Sequence, residues 1–486
     1  MLQGHRKSPK KEQIDKLVER YGATGFMYTE YPHKRFWDKN CGDEQFKSAL
    51  ATEMGSSEDN PTLLYIHLPF CQELCWFCTC HVSITNNYDK VVEYLEWLYK
   101  EIDLLSQTFQ DNSIKPVFTE IHLGGGSPTF LKEPEFDALV ERLNKIVNTD
   151  TLQEFSIEID PRRVDRERME YYHKKGINRI SFGIQDFDLN VQKAINRVQP
   201  VELIENLLTP DIRNLFPNGV NFDVICGLPH QTPESIRVTA KECVRLSPDR
   251  ICFNYLHFAP QFAQHQENMC DGKNGRPSKL PDYSERKNLF GEGLKVLSEN
   301  GGYVRTGYDH FALATDEVAK SMESGQLHWN SLGVTAGRYL NVIGIGVHSY
   351  STIGKHYFQN VYEINDYQAA LTKGELPVYR GHELSADDLL RRDIIQRIRN
   401  YFYLSIVEIE KLYGIDFNIY FEPELRKLKQ FIEDGLVETT DEAIVVTETG
   451  YQFTNIVCRI FDKYYDGELM AKDLGELTLK GDLLTH

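Results

Sequence analysis

The sequence predicts an α/β fold: a partial (β/α)6 barrel, open and curved, with an N-terminal extension and a mostly helical, winged-helix-like C-terminal domain. Two observations predict it. Six apolar, β-branched runs recur at wide spacing between residues 62 and 256, and helical periodicity fills the segments between them. Such alternation builds right-handed βαβ units and a parallel sheet. Polar clusters also follow the carboxyl ends of these runs, where parallel sheets place their ligands.

The elements follow in order. Residues 10–60 hold the aromatic and basic stretch YTEYPHKRFW. The first strand is TLLYIHL (62–68), followed by helical periodicity over 88–107; the second is FTEIHL (118–123), followed by a helix over 135–147. EFSIEI (154–159), NRISFGI (178–184), VNFDVI (220–225) and RICFNYL (250–256) supply the remaining four. From about residue 381 the composition turns charged and helical, then a hairpin-like GLVETTDEAIVVTETG precedes a final helix over 450–464. The expected division is 1–60, 61–380 and 381–486. Winged-helix domains commonly bind DNA, but a formal net charge of −18 opposes duplex binding, so no nucleic-acid partner is expected. No run of 18 apolar residues is present to span a membrane. The opening MLQGHRKSPKKEQ lacks the apolar core of a secretory signal, which points to the cytoplasm.

The chemistry concentrates in YIHLPFCQELCWFCTC, residues 65–80, which places four of the chain's ten cysteines within ten positions. Zinc, a disulfide knot and an iron–sulfur cluster all gather thiols this way. A reducing compartment disfavours the disulfide. Structural zinc takes two separate C-x(2–4)-C hooks, and no second hook accompanies the C-x3-C-x2-C of Cys71, Cys75 and Cys78. Three thiolates on one loop instead leave one iron of a [4Fe–4S] cube open to a further ligand. Cys41, Cys226, Cys243, Cys252, Cys270 and Cys458 are scattered and read as small core residues. Trp76 and Phe77 either shield the cluster, stack on a bound base or simply pack. After the second strand, GGGSPT (124–129) is either a tight turn or a backbone cradle for an anion. Glu158 and Asp160 share one face of the third strand, as ligand holders or as a solvated strand end. Gln185, Arg197 and Asp223 follow the fourth and fifth strands. Glu158 and Asp223 suit ribose hydroxyls, and Arg197 suits a carboxylate.

YIHLPFCQELCWFCTC resembles the cluster loop of radical S-adenosylmethionine (SAM) enzymes, and the further Cys80 resembles their oxygen-independent coproporphyrinogen III oxidase (dehydrogenase) branch. The similarity runs from YTEYP to RRDII and GLVETTDEAIVVTETG, nearly the whole chain. It implies a radical SAM barrel with a [4Fe–4S] cluster on Cys71, Cys75 and Cys78, Cys80 standing outside the ligand set. Reductive cleavage of SAM at the open iron would release methionine and a hydrogen-abstracting 5′-deoxyadenosyl radical. The resemblance further implies that Tyr65, Gly125 and Glu158 serve the cluster-bound SAM, with Glu158 and Tyr65 nearest the chemistry. Phe77, Gly126, Ser127, Gln185, Arg197, Asp223, Leu256 and Tyr350 would serve a second SAM. It implies a porphyrinogen substrate, a flavodoxin or ferredoxin as electron donor and a monomer. Residues 10–60 would lie over the barrel mouth, and the C-terminal domain would cap the site.

The implied reaction is oxidative decarboxylation of two propionates of coproporphyrinogen III, yielding protoporphyrinogen IX. Several positions depart from the pattern. Met27 stands where an arginine is usual, Glu30 where a serine is, and Leu313 ends DHFAL in place of arginine. Trp329 replaces an arginine in LHWN, and Tyr350 replaces a small aliphatic residue. A lost charge-assisted bond to a carboxylate costs about 1.5–3 kcal/mol. His33, Lys34, Arg35 and Arg305 are the candidates to compensate. The alternative is a related two-SAM enzyme performing methylation, cyclopropanation or haem conversion on a less acidic substrate. A non-catalytic haem-binding protein is a third reading; Tyr65, Gly125, Glu158 and the three cysteines standing together argue against it.

Overall fold

The computed structural model describes residues 11–21, 28, 30–54, 61–260, 263–270, 280–330, 332–337, 339 and 341–465. All six expected strands form: β1 (Pro61–Leu68), β2 (Val117–Gly125), β3 (Glu154–Ile159), β4 (Arg179–Gln185), β5 (Val220–Cys226) and β6 (Arg250–Tyr255). Each pairs in parallel with the next. The crossovers carry α1 (Asp89–Asp111), α2 (Glu133–Leu143), α3 (Arg166–Lys174), α4 (Val201–Leu207) and α5 (Pro233–Leu246), and α6 (Tyr283–Lys295) follows β6. In α1 the buried Val91, Tyr94, Leu95, Leu98, Ile102 and Leu105 recur three or four residues apart, so one stripe faces the sheet.

The sheet extends beyond these six. β7 (Tyr303–Arg305) and β8 (His310–Leu313) continue one edge, β8 antiparallel to β6 and β7 antiparallel to β8. On the other edge lie β9 (Asn341–Ile345), β10 (Tyr350–Ile353), β11 (His356–Asn360) and β12 (Val378–Glu383). The order across twelve strands is β12-β11-β10-β9-β1-β2-β3-β4-β5-β6-β8-β7. β9 runs parallel to β1, with Thr62 opposite Asn341. This seventh parallel strand carries only NVIGI and arrives through a long excursion rather than a helical crossover, so the strand–helix rhythm did not announce it.

Beyond the barrel, α7 (Ala386–Tyr401), β13 (Tyr403–Ser405), α8 (Ile406–Tyr413), α9 (Glu422–Glu433), β14 (Val437–Thr439) and β15 (Ala443–Val446) make a winged-helix arrangement, with sheet order β13-β15-β14. The single helix expected over 450–464 is instead three short pieces, Gly450–Phe453, Thr454–Cys458 and Arg459–Phe461. Thr454 Oγ1 donates to Tyr451 O, competing with a regular ladder, and the segment is buried on nearly every side rather than along one stripe. Its core is shared: Ile14 and Leu17 of the helix Lys11–Tyr21 pack with Leu390, Ile394 and Ile398. Farther on, Asp38 and Gly381 exchange backbone hydrogen bonds of 2.7 and 3.0 Å, fastening the N-terminal segment along β12. No helix among the described residues is long and apolar enough to cross a membrane.

Candidate active site

The register of β1 and β2 sets the site. Leu68 lies opposite Gly125, so the cysteine loop leaving β1 meets the glycine run leaving β2. Gly126 N donates to Leu68 O and Ser127 N to Phe70 O, both at 2.9 Å. A Cβ on Gly126 would fall 2.8 Å from Phe70 O and from the Pro69 carbonyl carbon, backbone atoms that cannot yield. Gly125 has φ +108°, which favours glycine. The far side of the loop is pinned as well. Trp76 N donates to Ile195 O at 3.0 Å, Asn196 Nδ2 to Leu74 O at 2.9 Å and Gln266 Nε2 to Phe77 O at 2.9 Å.

Between these elements opens a cavity of about 430 Å³, lined by Cys71, Cys75 and Cys78 among others. No three histidine, cysteine, aspartate or glutamate side chains among the described residues converge as a single metal ion requires. Three thiols of one loop around a shared cavity fit separate irons of one cluster. Two cations also reach the loop: Arg197 Nη1 lies 3.5 Å and Arg162 Nη2 3.8 Å from Cys75 Sγ. Burial, then the neighbouring Cys78 and Cys75 sulfurs, pushes the Cys71 thiol up, a crowding that a cationic centre relieves. Cys80 borders the same cavity but engages Cys78: their hydrogen bond is the largest influence on both thiols, lowering Cys78 and raising Cys80.

Gly125, Gly126, Ser127, Phe77, Glu158, Gln185, Arg197 and Asp223 all border the cavity, so the structure brings together most of the residues singled out from sequence. Glu158 is held from two sides, Oε2 by Gly125 N at 3.2 Å and Oε1 by His122 Nε2 at 3.1 Å. Asp223 accepts from Ser181 Oγ at 3.0 Å and Asn221 Nδ2 at 2.9 Å. Burial, reinforced by Glu158, raises its carboxyl above the ordinary value. Burial works against the charge of Asp160 too, but Arg197 and the hydrogen bonds of Arg162 outweigh it and hold Asp160 at about 2. Gln185 has φ +66°, and its buried Oε1 lacks a hydrogen-bond partner among the described residues, leaving an acceptor for a ligand. Three predicted residues stand off the cavity. Tyr65 is buried with its hydroxyl 2.9 Å from His67 Nδ1, Leu256 packs in the apolar cluster behind Phe77, and Tyr350 is buried beneath the Lys34 ammonium, 4.9 Å from its ring centre.

Sequence reasoning missed His122, Arg162, Ser181 and Asn221. Strand alternation could have found Asn221, two residues from Asp223 on the same face; His122 and Ser181 emerge only from cross-strand register. The described positions that depart from the family pattern lie elsewhere than against a substrate. β8 runs antiparallel to β6, Ala312 opposite Arg250, and Leu313 N donates to Asp249 O. Leu313 therefore lies at the amino end of the parallel strands, opposite the cavity. Trp329 is buried 3.7 Å beneath the Arg399 guanidinium, which faces Asp309 at 3.7 Å. Lys34 pairs with Glu30 at 3.5 Å, both about 2–3% exposed, so the acid at 30 is met by a neighbouring cation within the fold. Arg305 is wedged among Phe290, Phe402 and Tyr451, between barrel and C-terminal region. Met27 lies outside the described residues.

Comparison with known proteins agrees with this geometry. The radical SAM superfamily profile matches residues 65–243, and that of the HemN C-terminal domain matches residues 384–453. The oxygen-independent coproporphyrinogen III oxidase of Pseudomonas aeruginosa is 35% identical over 451 residues, 92% of this chain and 95% of the relative. That of Escherichia coli K12 is 34% identical over 457 residues, 93% of this chain and 96% of the relative. The solved structure of the Escherichia coli coproporphyrinogen III oxidase, described as a radical SAM enzyme, superposes with a TM-score of 0.82 at 33% identity, covering 90% of this chain and 98% of that one. Cysteine loop, glycine cradle and full-length similarity together mean that the chain belongs to the oxygen-independent coproporphyrinogen III oxidase family of radical SAM enzymes.

Proposed function

We propose that this enzyme converts coproporphyrinogen III to protoporphyrinogen IX by oxidative decarboxylation without oxygen. The observation carrying that reading is the single cavity in which three cysteines of one loop, the glycine cradle, Glu158, Gln185, Arg197 and Asp223 meet. Cys71, Cys75 and Cys78 would hold the [4Fe–4S] cluster. When bound, cluster and SAM supply a hydrogen-abstracting radical. Gly125 and Gly126 would bring backbone close to the amino-acid end of SAM, and Glu158, oriented by His122 and Gly125 N, would accept from its hydroxyl or ammonium groups. Gln185, Arg197 and Asp223 stand beyond the cluster loop, a second polar set suited to a second SAM with Ser127 and Phe77. Tyr65 backs the first set through His67. Leu256 backs Phe77, and Tyr350 closes the side of the barrel at β10.

We divide the chain into an N-terminal extension (1–60), the barrel (61–380) and a capping domain (381–486). We place the enzyme in the cytoplasm as a monomer reduced by a flavodoxin or ferredoxin; all ten cysteines are unpaired, as a reducing compartment requires. The position of Leu313, away from the cavity, supports the tetracarboxylate substrate over a less acidic one. The test is anaerobic incubation of reconstituted, dithionite-reduced enzyme with SAM and coproporphyrinogen III. Mono- and bis-decarboxylated products are expected by mass spectrometry. SAM cleavage without either product would overturn the substrate assignment while leaving the radical chemistry in place.

A further inference from the structure

Gln185 reaches the cavity from a distorted strand end. At the carboxyl end of β4, Gly183 pairs with Asp223 and Gln185 with Val224 of β5, so Ile184 is an extra residue between two consecutive rungs. Bulges of this kind re-aim a side chain and bend the strand. Asp186 N then donates to Ile184 O at 2.9 Å, closing a three-residue turn centred on Gln185. The φ of +66° at Gln185 lies in the left-handed region, which costs free energy for a residue with a Cβ. Such a backbone persists only where its surroundings over-determine it.

One buried amide supplies that constraint. Gln199 donates from Nε2 to Gly183 O at 2.9 Å and to Ile184 O, and its Oε1 accepts from Arg197 Nε at 3.0 Å. Arg197 closes the ring by donating from Nη2 to Gly183 O at 2.8 Å. Asp160 lies 3.5 Å from the same Nη2, so Nη1 is the edge left toward Cys75, 3.5 Å away, and the cavity. Gly183 sits inside the ring: a Cβ there would fall 2.9 Å from Arg197 Nη2 and 3.0 Å from Gln185 Nε2. Gln199 is itself clamped, its N donating to Gln192 Oε1 at 3.1 Å and its O accepting from Gln192 Nε2 at 2.8 Å. It is not among the residues that line the cavity, so it acts only through those that do.

We infer that Gln199 is the positioning residue of the second SAM site, its amide fixing both the Arg197 guanidinium and the turn that carries Gln185. The inference rests on the reading of Gln185, Arg197 and Asp223 as that site. Holding these groups in place before the ligand arrives removes the ordering cost from binding. Without the amide, two bulge carbonyls lose a donor, and Arg197 Nε keeps only its 3.2 Å contact with Gly183 O. The guanidinium and the Gln185 side chain would then each have to be ordered by SAM itself.

The experiment uses the full-length, reconstituted holoenzyme with SAM as the probe, and equilibrium dialysis to count and rank the molecules bound. Gln199→Met replaces the amide with an apolar chain of similar length. Wild type should bind two SAM per chain; the variant should keep one at wild-type affinity and hold the other at least tenfold more weakly. If Gln199→Met fails to fold, Gln199→Asn, which keeps the amide but withdraws it by one methylene, carries the same expectation. Two comparisons separate positioning from mere support of the fold. Thr239→Val removes the 2.9 Å bond to Asp186 in the same buried network, so it should lower stability and leave both SAM affinities within twofold. In an Arg197→Lys background, which has no guanidinium for Gln199 to hold, Gln199→Met should weaken the second SAM by less than a further twofold. Second-site affinity within twofold of wild type in Gln199→Met overturns the positioning role. So does an effect that adds fully to that of Arg197→Lys, or an equal loss in Thr239→Val. Failure of the two-SAM reading looks different: wild type itself would bind one SAM per chain.

Discussion

Cys71, Cys75, Cys78 and Cys80 all border the cavity, and the family resemblance places the first three, and not Cys80, in the ligand set. Alanine at Cys71, Cys75 or Cys78 is therefore expected to prevent anaerobic reconstitution of iron and sulfide, with loss of the visible absorbance. Cys80→Ala should keep the full complement, and comparable iron loss there would make Cys80 a ligand. Lys34 is a second residue whose role the fold decides. Sequence offered it as a cation for a propionate, but it is buried against Glu30 and the Tyr350 ring. Removing one partner of a buried pair typically costs roughly 3–5 kcal/mol, because the other charge is left uncompensated. Lys34→Ala should accordingly lower the free energy of unfolding, read from urea denaturation, by an amount in that range and leave KM for the porphyrinogen within twofold in whatever folded fraction remains. A tenfold rise in KM with unchanged stability would instead place Lys34 at the substrate.

At the scale of elements, strand direction decides what a motif can touch. The antiparallel pairing of β8 with β6 carries Leu313 to the amino end of the barrel while its neighbour His310 sits opposite Cys252 in mid-strand. An arginine at 313 would sit near Asp249 at the edge of the core and not against a substrate on the opposite face. Leu313→Arg should change neither substrate affinity nor turnover beyond about twofold, read from steady-state kinetics. Tighter substrate binding by that variant would show that the mouth extends around the edge of the sheet. The same logic explains the cradle: because β1 and β2 are in parallel register, the backbone around Pro69 and Phe70 occupies the space in which Gly126 has no side chain.

For the molecule as a whole, closure of the sheet past β1 depends on a buried acid from α1. Glu101 accepts from Gly346 N at 2.6 Å, Asn360 Nδ2 at 2.7 Å and Tyr367 Oη at 2.5 Å, tying the first crossover helix to the end of β9, to β11 and to the helix Ile364–Thr372. Burial raises its carboxyl from 4.5 to about 7, the three donors restraining the rise. The folded chain thus retains a proton that the unfolded chain releases, so this contribution to stability is present below pH 4.5 and declines as pH climbs to about 7. The size is on the order of 3 kcal/mol. Denaturation of wild type and Glu101→Gln across that window should show the difference between them drifting with pH, and parallel curves would mean that Glu101 is ionised throughout.

What the sequence determined alone was whatever local pattern encodes: six strands from β-branched runs, their helices from apolar spacing, and a cluster loop from three cysteines at short intervals. Glu158, Gln185, Arg197 and Asp223 were legible through the family resemblance, and Glu158 and Gln185 also from their places at the carboxyl ends of β3 and β4, which parallel strands deliver to one rim. Tertiary structure alone decided the rest, because those facts concern neighbours remote in sequence. The parallel β9, the grip of His122 on Glu158 and the contact of Arg162 with Cys75 each join segments that no local period relates. The same holds for charge. Whether Glu30, Lys34 or Trp329 faces a substrate or another part of the chain depends on burial, which sets the cost of leaving a charge unpaired, and burial exists only once the chain has closed on itself.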